Sequence, residues 1–120
     1  MAGPEKIFED KVKAYLKSIG AWFIKYWGGG RFTKSGIPDI LVCYKGKFIA
    51  VETKADTGEP SLIQLLTLRN IRKAKGIAVL LYPKDFSNFK KLLETNDTSW
   101  YKKNIEYQDK WYKKLDSKIL

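Results

Sequence analysis

The sequence predicts an α/β domain built on a mixed sheet. Three observations predict it: apolar residues at helical spacing open the chain, two strand-like runs meet at Lys45-Gly46, and a helical pattern separates them from the apolar run Ile77 to Tyr82. With 120 residues the chain has material for one hydrophobic core.

Pro4 and Glu5 suit a helix start, and Phe8, Val12, Tyr15, Leu16 and Ile19 then follow at helical spacing until Gly20. Residues 5 to 19 are read as an amphipathic helix. Ala21 to Trp27 is aromatic and β-branched enough for a strand, and Gly28-Gly29-Gly30 after it opens a loop carrying Arg31 and Lys34. Gly36-Ile37-Pro38 marks a turn, since proline is tolerated at the first position of a strand, which should begin near Asp39.

Asp39 to Tyr44 and Lys47 to Lys54 flank Lys45-Gly46 as a two-residue hairpin. Ser61 caps a second helix through Leu62, Leu65, Leu66, Leu68 and Ile71 to Lys75, with Gly76 as its stop. Ile77 to Tyr82 reads as a strand covered on both faces, Pro83 ends it, and Asp85 to Glu94 is a further helix. From Thr95 onward, Tyr101, Ile105, Gln108, Tyr112, Leu115 and Ile119 form a helical face that suits the core, a partner subunit or DNA. The order is α, three strands, α, β, α, a mixed sheet with helices in an α/β or α+β domain.

Lys and Arg number 23 against 13 Asp and Glu, a net +10 spread unevenly. Residues 1–38 carry +4, 39–59 carry −1, 60–94 carry +5 and 95–120 carry +2. A polyanion is drawn to the basic flanks and meets carboxylates between them, which points to nucleic acid. The single cysteine, Cys43, and the absence of histidine exclude an internal disulfide and a Cys/His zinc site, and suit a reducing cytosol. No apolar run reaches the roughly 18 residues of a membrane span, so a soluble, intracellular protein with no membrane partner is expected.

A two-residue turn at Lys45-Gly46 sets Tyr44 opposite Lys47, Leu41 opposite Ala50, and Asp39 opposite Glu52. Opposed like charges about 5 Å apart are unfavourable unless something positive stands between them, and a divalent cation fills that need. Strand alternation returns Lys54 to the same face. Two carboxylates and an ammonium suit phosphodiester hydrolysis, in which Mg²⁺ or Mn²⁺ takes carboxylate and phosphate oxygens and activates a water. Lys54 either orients or deprotonates that water or stabilises the transition-state charge. The competing reading is an ordinary surface ion-pair cluster.

Gly36-Ile37-Pro38-Asp39 followed by Val51-Glu52-Thr53-Lys54 resembles the signature of the PD-(D/E)xK nuclease superfamily. More closely, Glu9, Lys25, the Gly-x-Pro-Asp turn, E-x-K, and Ser61 with Gln64 resemble the virus-type replication-repair nuclease domain, VRR-NUC, especially its small stand-alone phage forms. The resemblance spans about residues 5 to 94. It implies a restriction-endonuclease-like core, α-β-β-β-α-β with helices on both faces, and a homodimer that cuts DNA with Mg²⁺ or Mn²⁺, often at flaps, junctions or other branches. Residues 1–94 would be the nuclease domain and 95–120 a basic, aromatic helical extension.

By the same resemblance Asp39, Glu52 and the Thr53 carbonyl are metal ligands, Lys54 is the catalytic lysine, and Gln64 lies near the metal or scissile phosphate. Glu9 is the helix acid that completes the site directly or through water, with Glu5 as second choice. Lys25 is a phosphate contact. Arg31, Lys34, Arg69, Arg72, Lys73 and Lys75 are candidates for the DNA backbone. The tryptophans are read as core unless exposed. A DNA-binding module that no longer cuts, or a basic interaction protein working through its tail, are the alternatives.

Overall fold

The computed structural model describes residues 3–26 and 35–118. Helix α1, Pro4–Ser18, starts with proline in its first turn, where the missing N–H costs nothing, and ends before Gly20, whose φ of +76° turns the chain back. Strand β1 is Trp22–Lys25, antiparallel to β2, Ile40–Tyr44. Strand β3, Lys47–Thr53, pairs antiparallel with β2 in the expected register, Tyr44 opposite Lys47 and Leu41 opposite Ala50. Both turn residues, Lys45 and Gly46, have positive φ, as a type I′ hairpin requires.

Helix α2, Leu62–Lys73, carries the chain back so that β4, Ile77–Leu81, lies parallel to β3. The sheet order is β1-β2-β3-β4. A short 3-10 turn, Pro83–Asp85, leads into α3, Phe86–Thr95, and α4 spans Ser99–Ser117. This is the mixed α/β order that the sequence predicts.

Strand alternation divides the core in two. Ile40, Val42, Ile49, Val51, Val79 and Leu81 point to one face, where they bury Phe8, Val12 and Leu16 of α1 and Phe89, Leu92 and Leu93 of α3. Each such side chain removed from water is worth about 1.5–3 kcal/mol. Ala50, Ala78 and Leu80 form the other face, where small side chains let α2 approach through Leu68. Helices therefore cover both faces, and no helix among the described residues is long and apolar enough to cross a membrane.

Two expectations change. The left-handed residue that ends α2 is Lys75, φ 75°, rather than Gly76. Gly76 is needed for space instead, because a Cβ there would lie 2.8 Å from Ile71 Cγ2. The inner face of α4 is polar as well as apolar. Asn104 accepts from Leu80 N–H at 3.0 Å and donates to Leu80 C=O at 2.8 Å. Gln108 donates to Ala78 C=O at 2.9 Å, and Ala78 N–H donates to the Tyr101 hydroxyl at 3.0 Å. Helix α4 thus satisfies the outer backbone edge of β4 and lies on the core. Ile119, expected on the same face, falls outside the described residues.

Candidate active site at the end of the central hairpin

Asp39 stands immediately before β2 and Glu52 one residue before the end of β3, so the hairpin brings both acids to one end of the sheet. The regular pairing stops at Ile40 opposite Val51, and Asp39 bends toward the next residue along: its Oδ2 accepts from Thr53 N–H at 3.0 Å and from the Thr53 hydroxyl at 2.9 Å. The family resemblance implies a role for the Thr53 backbone alone; here its side chain also holds Asp39. The β-branched hydroxyl one position after the second acid was the signal available for it.

Glu52 is 3% exposed and meets three partners. Gln64 Nε2 donates to its Oε2 at 3.2 Å, Lys54 Nζ lies 3.6 Å from the same oxygen, and the negative charge of Asp39 acts on it. Burial first, and the negative charge of Asp39 second, push the Glu52 carboxyl up to about 8 against the opposing pull of Lys54. Lys54 lies just past β3, tied by its N–H to Leu81 C=O at 3.0 Å.

Gln64 reaches the site because of where α2 begins. Ser61 caps the helix by accepting from Gln64 N–H at 3.2 Å, and Gln64 Oε1 accepts from Ser61 N–H at 2.9 Å in return. The turn before Asp39 is set by Gly36, φ +77°, where a Cβ would fall 2.7 Å from Ile63 Cγ1 on α2. A close approach of the Gly-x-Pro-Asp turn to the start of α2 thus aligns Asp39 with Gln64.

Helix α1 supplies a second layer. Glu9, 5% exposed, takes Lys25 Nζ at 2.5 Å, and that ammonium also stands 3.5 Å from Asp39 Oδ1. Lys25 bridges the helix acid and the first strand acid. Burial opposes its charge, but the bond to Glu9 and the charges of Asp39 and Glu9 raise its pKa overall. Glu5 borders the same group: burial raises its carboxyl, with Lys54, Asp39, Glu9 and Lys25 all acting on it. Among the described residues no three Asp, Glu, Cys or His side chains converge on one point.

Arg69, Arg72 and Lys73 lie elsewhere. They line a groove between α2 and α4 together with Tyr112 and Lys113, where Arg69 stacks over the Tyr112 ring at 4.9 Å and Arg72 pairs with Asp109 at 3.1 Å. Arg72 is eight positions beyond Gln64, about 12 Å along the helix. Lys75 follows the end of α2, while Arg31 and Lys34 fall outside the described residues.

No protein-family model and no curated protein matches the chain. Among solved structures, a VRR_NUC domain is similar with a TM-score of 0.60 and 26% sequence identity, over 78% of this chain and 97% of that one. This chain has the VRR_NUC fold. The Holliday junction resolvase Hjc of Archaeoglobus fulgidus is also similar, with a TM-score of 0.48 and 21% identity over 65% of this chain and 69% of that one. On the VRR_NUC fold of this chain, Asp39, Glu52, Thr53, Lys54, Gln64, Lys25 and Glu9 are one contiguous group, linked by the contacts above.

Proposed function

We propose that this chain is a Mg²⁺-dependent or Mn²⁺-dependent nuclease that hydrolyses DNA phosphodiester bonds, with a preference for flapped, junction or otherwise branched substrates. The observation that supports it most is the buried Glu52 carboxyl, held between Asp39, Lys54 and Gln64. Burial and the neighbouring negative charge of Asp39, which together raise the Glu52 carboxyl, fit a divalent cation that would offset both.

Asp39, Glu52 and the Thr53 carbonyl would hold the ion, with water and phosphate oxygens filling the rest as Mg²⁺ prefers. When bound, the metal lowers the pKa of a coordinated water and neutralises charge on the phosphoryl group. Lys54 orients or deprotonates the attacking water, or stabilises the charge that develops on phosphate. Gln64 fixes the Glu52 carboxylate and faces the scissile phosphate. Glu9 supports the site through Lys25 or water, and Lys25 turns to phosphate once the cation takes over Asp39.

Arg69, Arg72 and Lys73 track a DNA backbone away from the cut, as Arg31 and Lys34 would from their loop. A homodimer accompanies this reading. Trp22, Ile24, Phe48, Ile63 and Leu66 are all more than a third exposed and leave apolar area for a second copy to cover, which sedimentation would detect.

The test is cleavage of flap, junction, single-stranded and duplex DNA with each metal, comparing Asp39→Ala, Glu52→Ala and Lys54→Ala with the parent. Loss of cutting in all three is expected. Undiminished cutting by all three would remove the site, and binding without cleavage under every metal would favour a silent DNA-binding module.

A further inference from the structure

A cavity of about 230 Å³ lies between the end of β4 and α4. Its walls include Tyr82, Trp100 and Tyr107, and Lys84, Lys103 and Asp85 stand around them. The Tyr82 and Tyr107 rings meet edge to face, 5.9 Å apart at 90°. Tyr107 is 40% exposed and Trp100 half-buried, so aromatic surface remains open to a ligand.

A short chain of contacts joins this cavity to Lys54. The Tyr107 hydroxyl donates to Tyr82, and the Tyr82 hydroxyl donates to Gly58 C=O at 2.8 Å. Gly58 lies so close to Lys54 that an added Cβ would stand 3.2 Å from Lys54 Cβ. The 54–60 loop therefore has the candidate catalytic lysine on one side and the aromatic cavity on the other.

We infer that this cavity takes one unpaired nucleobase of the DNA strand that passes Lys54. The chemistry differs from that of the α2–α4 groove, where arginines and lysines dominate and suit phosphate alone. Here the exposed Tyr107 ring, with Trp100 half-buried near it, offers a stacking platform for any base, Lys84 and Lys103 can meet the flanking phosphates, and Asp85 can accept from an exocyclic amine. A duplex keeps its bases stacked inside and cannot use such a cavity. The inference rests on the nuclease reading for its substrate and favours flapped or single-stranded DNA, which supplies unpaired bases, over a continuous duplex.

The test measures binding of the full chain, with divalent cations chelated, to a labelled single strand, the same strand carrying abasic sugars, and the corresponding duplex. Tyr107→Ala should weaken single-strand binding about tenfold and duplex binding by less than about twofold, and Tyr107→Phe, which keeps the ring, should restore it. Lys103→Ala should weaken both alike and lower the salt slope by about one. Abasic sugars should cost the parent protein as much as Tyr107→Ala does, a comparison independent of any folding defect in the variant. Equal losses on single strand and duplex, or abasic binding equal to the parent strand, would overturn the inference. Because no cleavage is read, a chain that never cuts yet shows this pattern loses the nuclease reading and keeps the cavity.

Discussion

Gln64 joins a helix cap to a buried acid: its Oε1 accepts from Ser61 N–H at 2.9 Å while its Nε2 donates to Glu52 Oε2 at 3.2 Å. Two substitutions separate the roles. Gln64→Ala removes both contacts, and loss of the reciprocal cap should lower stability by about 1 kcal/mol, a fall of a few degrees in Tm. Gln64→Glu keeps an acceptor for Ser61 and adds a favourable charge in the first turn, but removes the donor to Glu52. Both variants should lose at least about tenfold in cleavage, while only the alanine variant loses the cap's share of Tm and the glutamate variant, with a further carboxyl against Glu52, melts earlier as pH rises. Thermal unfolding followed by circular dichroism and a single-turnover assay decide this, and parental cutting by Gln64→Glu would remove the donor's role.

The Glu52 carboxyl, near 8 in the folded chain and 4.5 unfolded, makes metal-free stability depend on pH. The folded state binds this proton more tightly, so its contribution is full below the unfolded value and is lost as pH rises through the folded one. Metal-free protein should lose on the order of a few kcal/mol relative to Glu52→Gln between about pH 5 and 8. Denaturant unfolding of both proteins at several pH values isolates the effect, since every other titrating group is common to them. Parallel pH profiles would show that Glu52 keeps its ordinary value.

Thr53 gives Asp39 two donors, its N–H and its hydroxyl. Thr53→Val keeps the shape and the N–H but removes the hydroxyl, whereas Thr53→Ser keeps both. A hydrogen bond to a charged group contributes about 1.5–3 kcal/mol, so Mn²⁺ affinity should change by about tenfold or more in the valine variant and little in the serine one. Isothermal titration with Mn²⁺ measures it, and equal affinities would make the hydroxyl a bystander.

The parts of this site that obey a period were legible before the structure. Lys45-Gly46 and strand alternation fix the pairing, and the pairing brings Asp39, Glu52 and Lys54 together. Two parts of the site and one of the fold were not legible in that way. Lys25 bridges acids on two other elements, which no spacing along the chain reveals. The Glu52 proton depends on how completely its neighbours exclude water. Asn104 is polar on a lysine-rich helix and resembles a solvated side chain until β4 lies beneath it.

The cover that α4 lays along β4 also bears on assembly. An edge strand with unpaired N–H and C=O groups is a template for another strand, and Asn104, Gln108 and Tyr101 occupy those groups on β4 with side chains of α4. Asn104→Ala strips two bonds from Leu80 at a buried position. Each group left unsatisfied costs about 1–3 kcal/mol, so urea unfolding should show a loss of about 2–4 kcal/mol, large for one polar side chain. Deleting the chain from Ser99 onward uncovers the whole edge, and the product should associate with rising concentration into species larger than the full chain forms, as sedimentation velocity would show. A truncated chain with the parent's association behaviour, or an Asn104→Ala variant within about 0.5 kcal/mol of the parent, would mean that α4 lies along β4 without protecting it.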